Sequence, residues 1–168
     1  PLLPLPLALP AAAMAALLMD LSYPDTAVWA LAFPATALLL IALIGRRAGG
    51  ALAVGLVYGV IFFGLLVAFT SRYLGPLPWA ALSALEGVLT AVALILITLA
   101  YRWIPRAFPG LWARLLLLPA VVAALWVGRE VFVGSWPYGG FPWARLGMSQ
   151  AESPLAHVAS WIGVSGLS

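Results

Sequence analysis

The stretch WAALSALEGVLTAVALILITLAY, Trp79–Tyr101, decides the fold: its apolar run is broken by a single charge, Glu86. A helix needs about 20 predominantly apolar residues to cross the hydrocarbon core of a bilayer, and this stretch meets that length. Comparable runs lie on either side of it. Over the whole chain, hydrophobic residues make up 65% and charged residues 8%, with a mean hydropathy of +1.11. Soluble domains are about one quarter charged, so this composition belongs to an integral membrane protein. The runs are continuous and do not alternate, which argues against a membrane β-barrel. The expected fold is all-α, a bundle of five to six transmembrane helices in the 168 residues.

The spans are expected at about 2–19, 27–44, 50–69, 79–101 and 115–133, with an incomplete sixth at 154–168 and a loop over 134–153. Pro4, Pro6 and Pro10 predict an irregular or kinked first half of the first span, and Pro34 predicts a kink in the second. In the third, Ala51, Gly55 and Gly59 share one helical face. Such a small-residue seam lets a neighbouring backbone approach closely. As a helix, 154–168 would extend about 20 Å, short of the roughly 30 Å core. Either the segment is re-entrant or, as the favoured expectation, the sequence stops inside a longer protein.

Arginine placement orients the bundle. The connectors after the second and fourth spans hold Arg46, Arg47, Arg102, Arg106 and Arg114 and no acid. Connectors on the other side mix Asp20, Asp25, Glu130 and Glu152 with Arg72, Arg129 and Arg145. The positive-inside rule assigns the first set to the cytoplasm, with the N-terminus, and places the 134–153 loop on the outer face. A formal net charge of +3, scattered along the chain, does not suggest a nucleic-acid partner.

Few residues offer chemistry. Glu86 is an intramembrane carboxylate, which marks either a functional position or a paired structural group, and Arg72 and Arg129 lie on its side of the membrane. Arg129 and Glu130 are neighbours that point about 100° apart on a helix and so serve different partners; they read either as recognising a headgroup or cavity or, the favoured reading for Arg129, as simple interfacial anchors. Beyond them runs Glu130–Trp143, where Gly134, Gly139, Gly140, Pro137 and Pro142 alternate with Trp136, Tyr138, Phe141 and Trp143. The rings match an interfacial aromatic belt. The glycines and prolines instead suggest a shaped loop that presents those rings to a ligand. His157 is the single histidine, and Gly163-Val164-Ser165-Gly166 is one residue short of a nucleophile elbow. With no cysteine, no metal-ligand cluster and no phosphate loop, the sequence implies no cofactor, no metal and no complete catalytic site.

Glu130, Gly140-Phe141-Pro142-Trp143, Gly147-Met148-Ser149-Gln150 and Pro154-Leu155 together resemble the membrane domain of the bacterial apolipoprotein N-acyltransferases. Tyr73–Trp79 and Glu86 are similar to the corresponding loop and helix of some members. Two departures stand out: Val133 occupies a position where many members carry Arg, and Met148 replaces an aromatic residue. The resemblance implies a plasma-membrane enzyme that moves an acyl chain from a phospholipid to the N-terminal diacylglyceryl-cysteine of lipoproteins. It implies a Glu–Lys–Cys triad in a nitrilase-like domain outside the membrane. The present residues include neither Lys nor Cys, so this piece is expected to be inactive alone. Its implied partners are a membrane phospholipid, a lipoprotein substrate and the nitrilase-like domain. The implied substrate-binding residues are Glu86, Glu130, Gly140, Phe141, Pro142 and Trp143. A small substrate-binding component of a transporter, or a structural membrane subunit, fits the composition as well.

Overall fold

In hydrocarbon every backbone N–H and C=O must find an internal partner, which leaves helices as the economical solution for these apolar runs. The computed structural model describes residues 1–137 and 139–168, and it is all-α among them. Seven helices follow one another: α1 Leu5–Leu21, α2 Ala32–Leu43, α3 Ala48–Leu66, α4 Phe69–Leu74, α5 Pro76–Ala107, α6 Leu118–Val133 and α7 Ala159–Leu167. Three helical stretches are long and apolar enough to cross a membrane: Ala48–Leu66, Pro76–Ala107 and Ala113–Val133. Leu5–Leu21 and Trp29–Leu43 are shorter apolar helices.

Prolines set several boundaries differently from the sequence expectation. The first half of α1 is helical, because Pro6 falls in the first turn, where backbone N–H groups have no helical partner. Pro10 sits inside the same helix without ending it. Pro34 likewise falls in the opening turn of α2, which begins at Ala32. The segment expected as a loop after α3 contains α4, closed by Gly75 at φ 90°, and Pro76 starts α5 directly. Helix α5 then continues through Pro105, so Arg102 and Arg106 ride on a helix and not in a connector. At about 48 Å, a 32-residue helix outruns the hydrocarbon core, and its last turns can emerge from it. Before α6, Ala113–Leu117 forms a π-helical turn. It ends two residues before Pro119, whose ring and missing N–H disturb the preceding turn.

Helix α5 is the axis of the bundle, packed on α3 along one side and α6 along another, while α1 packs on α2 and α3. The α3–α5 crossing uses the small-residue seam. A Cβ on Gly55 would lie 2.6 Å from Cα of Ala91, and one on Gly59 would lie 2.7 Å from Cα of Gly87. Those pairings make the two helices antiparallel. Their close approach gains dispersion contact that a larger residue would forbid. Val88, Val92 and Leu96 form an exposed stripe on α5, and Leu115, Leu116, Val131 and Phe132 are exposed along the α6 stretch. Hydrocarbon on that scale is stable on the outside only when lipid covers it.

The antiparallel arrangement divides the molecule into two ends. One holds the α2–α3 turn, the end of α5 and the start of the α6 stretch, with Arg46, Arg47, Arg102, Arg106 and Arg114. The side chain of Arg46 is buried there, donating to the carbonyls of Ala42 and Leu3 and so tying the chain start to the end of α2. The opposite end gathers the α1–α2 connection, the C-terminal end of α6 and the segment up to α7.

Candidate functional site

The second end carries the buried polar groups, and α6 supplies two of them from adjacent positions. Arg129 turns toward α5, where its Nη2 donates to Glu86 Oε2 at 3.2 Å and to Thr90 Oγ1 at 2.7 Å. Glu86 and Thr90 are one helical turn apart, so they present both acceptors on one face of α5. The guanidinium also lies 5.1 Å from the ring centre of Phe63 on α3, a cation–π distance. Glu86 is 1% exposed and Arg129 9%. This is the one salt bridge among the described residues, and it joins α5 to α6 while touching α3. A simple interfacial anchor would leave its cation in water, which Arg129 does not.

Glu130 turns the other way. Its Oε1 accepts from Trp126 Nε1 at 2.9 Å and from the backbone N–H of Leu146 at 2.7 Å, while Oε2 is buried without a partner. The carboxylate therefore fastens the segment after the loop to the last turns of α6.

The loop itself folds back on the helix end. Gly134 N–H donates to Glu130 O at 2.8 Å, Gly140 N–H to Pro137 O at 2.8 Å, and Phe141 N–H to Val133 O at 2.8 Å. Gly140 has φ +81°, and a Cβ there would collide with the backbone of Gly134. Both the turn and the close approach require glycine at this position. Pro142–Ala144 forms a short 3-10 turn, and Leu146–Gln150 forms another.

Contacts across the bundle hold the segment from Arg145 to Gln150. Tyr23 Oη donates to the carbonyl of Arg145 at 3.0 Å. Burial, with a smaller contribution from Tyr58, pushes the Tyr23 phenol well above its usual range, so it remains a donor through neutral pH. Ser149 Oγ donates to Leu146 O at 2.7 Å, and Gln150 Nε2 donates to Trp29 O at 3.2 Å. The Gly-Met-Ser-Gln motif thus works as a clamp between the loop and the α1–α2 connection. Trp143 projects from this fixed frame with 61% of its surface exposed, beside exposed Pro142 and half-buried Phe141.

The expected site residues fall into two groups in space. Gly140, Phe141, Pro142 and Trp143 form the loop surface, whereas Glu86 and Glu130 lie beneath it, each with an internal partner. Of the two arginines expected on the side of Glu86, Arg129 meets it, while Arg72 is exposed. Tyr138, read as part of an aromatic belt, lies outside the described residues. Sequence reasoning missed Trp126, although its spacing of four residues before Glu130 is a helical-contact signal. It also missed Tyr23 and Arg145, whose roles depend on contacts across the bundle.

Comparison with known proteins agrees with this architecture. Residues 15–168 match the family model described as the apolipoprotein N-acyltransferase N-terminal domain. The apolipoprotein N-acyltransferase of Vibrio vulnificus is 35% identical over 159 residues, covering 92% of this chain and 30% of the relative. That of Azotobacter vinelandii is 37% identical over 153 residues, 88% of this chain and 29% of the relative. That of Nitrosomonas europaea is 37% identical over 143 residues, 80% and 28% respectively. The chain thus spans under a third of the length of these curated relatives. On the match over nearly its whole length, the chain belongs to the apolipoprotein N-acyltransferase N-terminal domain family.

Proposed function

We propose that this chain is the membrane domain of an apolipoprotein N-acyltransferase and that it holds the lipid substrates of the reaction. An acyl chain would leave a phospholipid and end in an amide on the α-amino group of a diacylglyceryl-cysteine at a lipoprotein N-terminus. The covalent steps, through a thioester, belong in this reading to a nitrilase-like domain with a Glu–Lys–Cys triad, since these residues include no Cys and no Lys. Five to six spans would cross the inner membrane, with the arginine-rich end in the cytoplasm and the 134–153 loop outside.

One observation carries the proposal. A buried carboxylate, Glu130, grips the loop through Leu146 N–H at 2.7 Å, while Trp143 of the same loop stays 61% exposed. A ring left uncovered on a backbone segment fastened this closely suits contact with a mobile lipid better than internal packing does. Phe141, Pro142 and Gly140 shape the surface around it. Glu130 acts by positioning this loop, and Glu86 acts through Arg129 on the helix beneath.

The test is reconstitution of the intact protein with phospholipid and a diacylglyceryl lipopeptide. The expected result is a mass gain of one acyl chain on the peptide α-amino group, with matching lysophospholipid. Failure of the intact, folded protein to acylate the peptide, together with tight binding of a soluble small molecule, would replace this reading with a transport role.

A further inference from the structure

The end of the bundle away from the loop has a chemistry of its own. It carries Arg46, Arg47, Arg102, Arg106 and Arg114, and the segments that form it, 44–48 and 101–115, contain no Asp or Glu. Arg46 is turned inward onto carbonyls, and Arg106 donates to the carbonyl of Arg102 one turn back. No carboxylate pairs with any of the five among the described residues. Arg114 is exposed. Around these cations Trp103, Phe108, Leu111 and Trp112 are exposed as well, and the Phe108 and Trp112 rings meet edge to face at 5.9 Å. Indole suits the boundary between hydrocarbon and water, and guanidinium matches phosphate oxygens in a bidentate fork.

A groove runs from this end into the bundle. A cavity of about 440 Å³ lies between α2 and the α6 stretch, lined by Leu40, Leu118, Val122 and Trp126, with Tyr101 and Arg114 at its arginine-rich end. Arg114 and Trp126 are separated by about 18 Å of helix. Half of a roughly 30 Å hydrocarbon core is about 15 Å, the depth of one leaflet. The groove is therefore long enough for one acyl chain, with a cation and a phenol where a headgroup would sit. Along α5, Arg102 stands about 24 Å from Glu86, so this headgroup level is on the far side of the membrane from Trp143.

Charge selects the occupant. A zwitterionic headgroup brings an ammonium that the arginines repel, whereas a headgroup of net negative charge meets only attraction. Basic pockets between helices favour acidic headgroups for this reason, and each Arg near an acidic lipid surface is worth about fivefold in binding. We propose that the α2–α6 groove holds one acidic phospholipid of the leaflet opposite the 134–153 loop, with Arg114 and Tyr101 at its phosphodiester. Arg102 adds to the field that favours it. This lipid is a resident of the fold and not a substrate, and the proposal does not depend on the acyl-transfer reading.

The experiment is native mass spectrometry of the intact protein in detergent, offered phosphatidylglycerol and phosphatidylethanolamine with identical chains. The wild type should hold phosphatidylglycerol about tenfold more tightly or better. Arg114→Gln should cut that affinity about fivefold and leave phosphatidylethanolamine unchanged. Adding Arg102→Gln should abolish the preference, and Arg114→Lys should keep most of it, since the charge remains. Ala123→Trp places a ring in the groove from an exposed position and should weaken both lipids. Trp143→Ala, at the other end, should leave the preference intact.

Equal affinity of the wild type for the two lipids would overturn the proposal, as would a preference that survives in the double arginine variant. Unchanged binding in Ala123→Trp would overturn it in favour of diffuse attraction to the surface. Loss of the preference in Trp143→Ala would overturn it by placing the lipid at the loop. Displacement of the lipid by millimolar inorganic phosphate would overturn it in favour of a small-anion site. None of these measurements uses acyl transfer, so failure of the acyltransferase reading would leave their outcome standing.

Discussion

Replacing Arg129 by Met in the intact protein removes the cation from Glu86 while roughly conserving side-chain length. The carboxylate would stay where it is, 1% exposed, with its ion pair at 3.2 Å gone. Thr90 would lose a 2.7 Å donor and Phe63 its cation. Breaking a buried pair by deleting one partner costs about 3–5 kcal/mol, because the other charge is left uncompensated. The lost cation–π contact adds up to about 2 kcal/mol when desolvated. Glu86→Gln is destabilising by the same logic, since it strands Arg129. The double variant strands neither charge and should cost clearly less than the sum of the two singles, with a coupling of about 2 kcal/mol or more.

The assay is equilibrium unfolding of the four proteins in mixed micelles, reading the coupling from the thermodynamic cycle. The midpoints should respond little to salt, because buried pairs are poorly screened. Arg72→Met provides the control. That residue is exposed, and its loss should shift stability by no more than about 0.5 kcal/mol. Additivity of the two core substitutions within about 0.5 kcal/mol would refute the reasoning. It would mean that Arg129 and Glu86 are stabilised separately and that the α5–α6 junction does not depend on their pairing.

Glu130→Ala removes the acceptor for both Trp126 Nε1 and Leu146 N–H, so it should cost about 3 kcal/mol and open the 134–150 region to protease, with loss of acyl transfer. Unchanged cleavage and unchanged turnover would remove its positioning role. Gly59→Val pushes side-chain atoms into the backbone of Gly87 and should lower stability by about 1–3 kcal/mol or more, checked in the same unfolding assay. A neutral result would show that α3 and α5 can separate without penalty. Trp143→Ala should slow acyl transfer while leaving the thermal midpoint within about 1 °C, because the ring is largely exposed and packs on little. Wild-type turnover in that variant would return Trp143 to an interfacial anchor.

The helical membrane fold was legible because the bilayer imposes one requirement on every residue, backbone self-satisfaction, and long apolar runs answer it. Helix ends were less legible, since proline reads as a breaker wherever it occurs. Pro6 and Pro34 instead fall in first turns, where no hydrogen bond is lost. Pro105 was read into a connector, yet α5 runs through it to Ala107. The small-residue seam of α3 was visible from spacing alone, but its partner was not. Gly87 and Ala91 became its counterpart only through the antiparallel crossing of α5.

The same divide runs through the candidate site and is sharpest for its two arginines. Glu86 drew attention because an intramembrane carboxylate is conspicuous, whereas Arg129, at a span end, read first as an interfacial anchor and is shown by the fold to be its partner. Arg145 sits in a loop, where charge usually means solvation, so its position gave no signal. What distinguishes it is a contact 122 residues away in sequence, the Tyr23 hydroxyl on its carbonyl, together with the absence of a carboxylate around its guanidinium among the described residues. Both are properties of the folded surroundings. Chemically identical side chains therefore stand in opposite surroundings: Arg129 pairs with Glu86 at 3.2 Å and joins two helices, whereas Arg145 has no carboxylate within salt-bridge distance among the described residues.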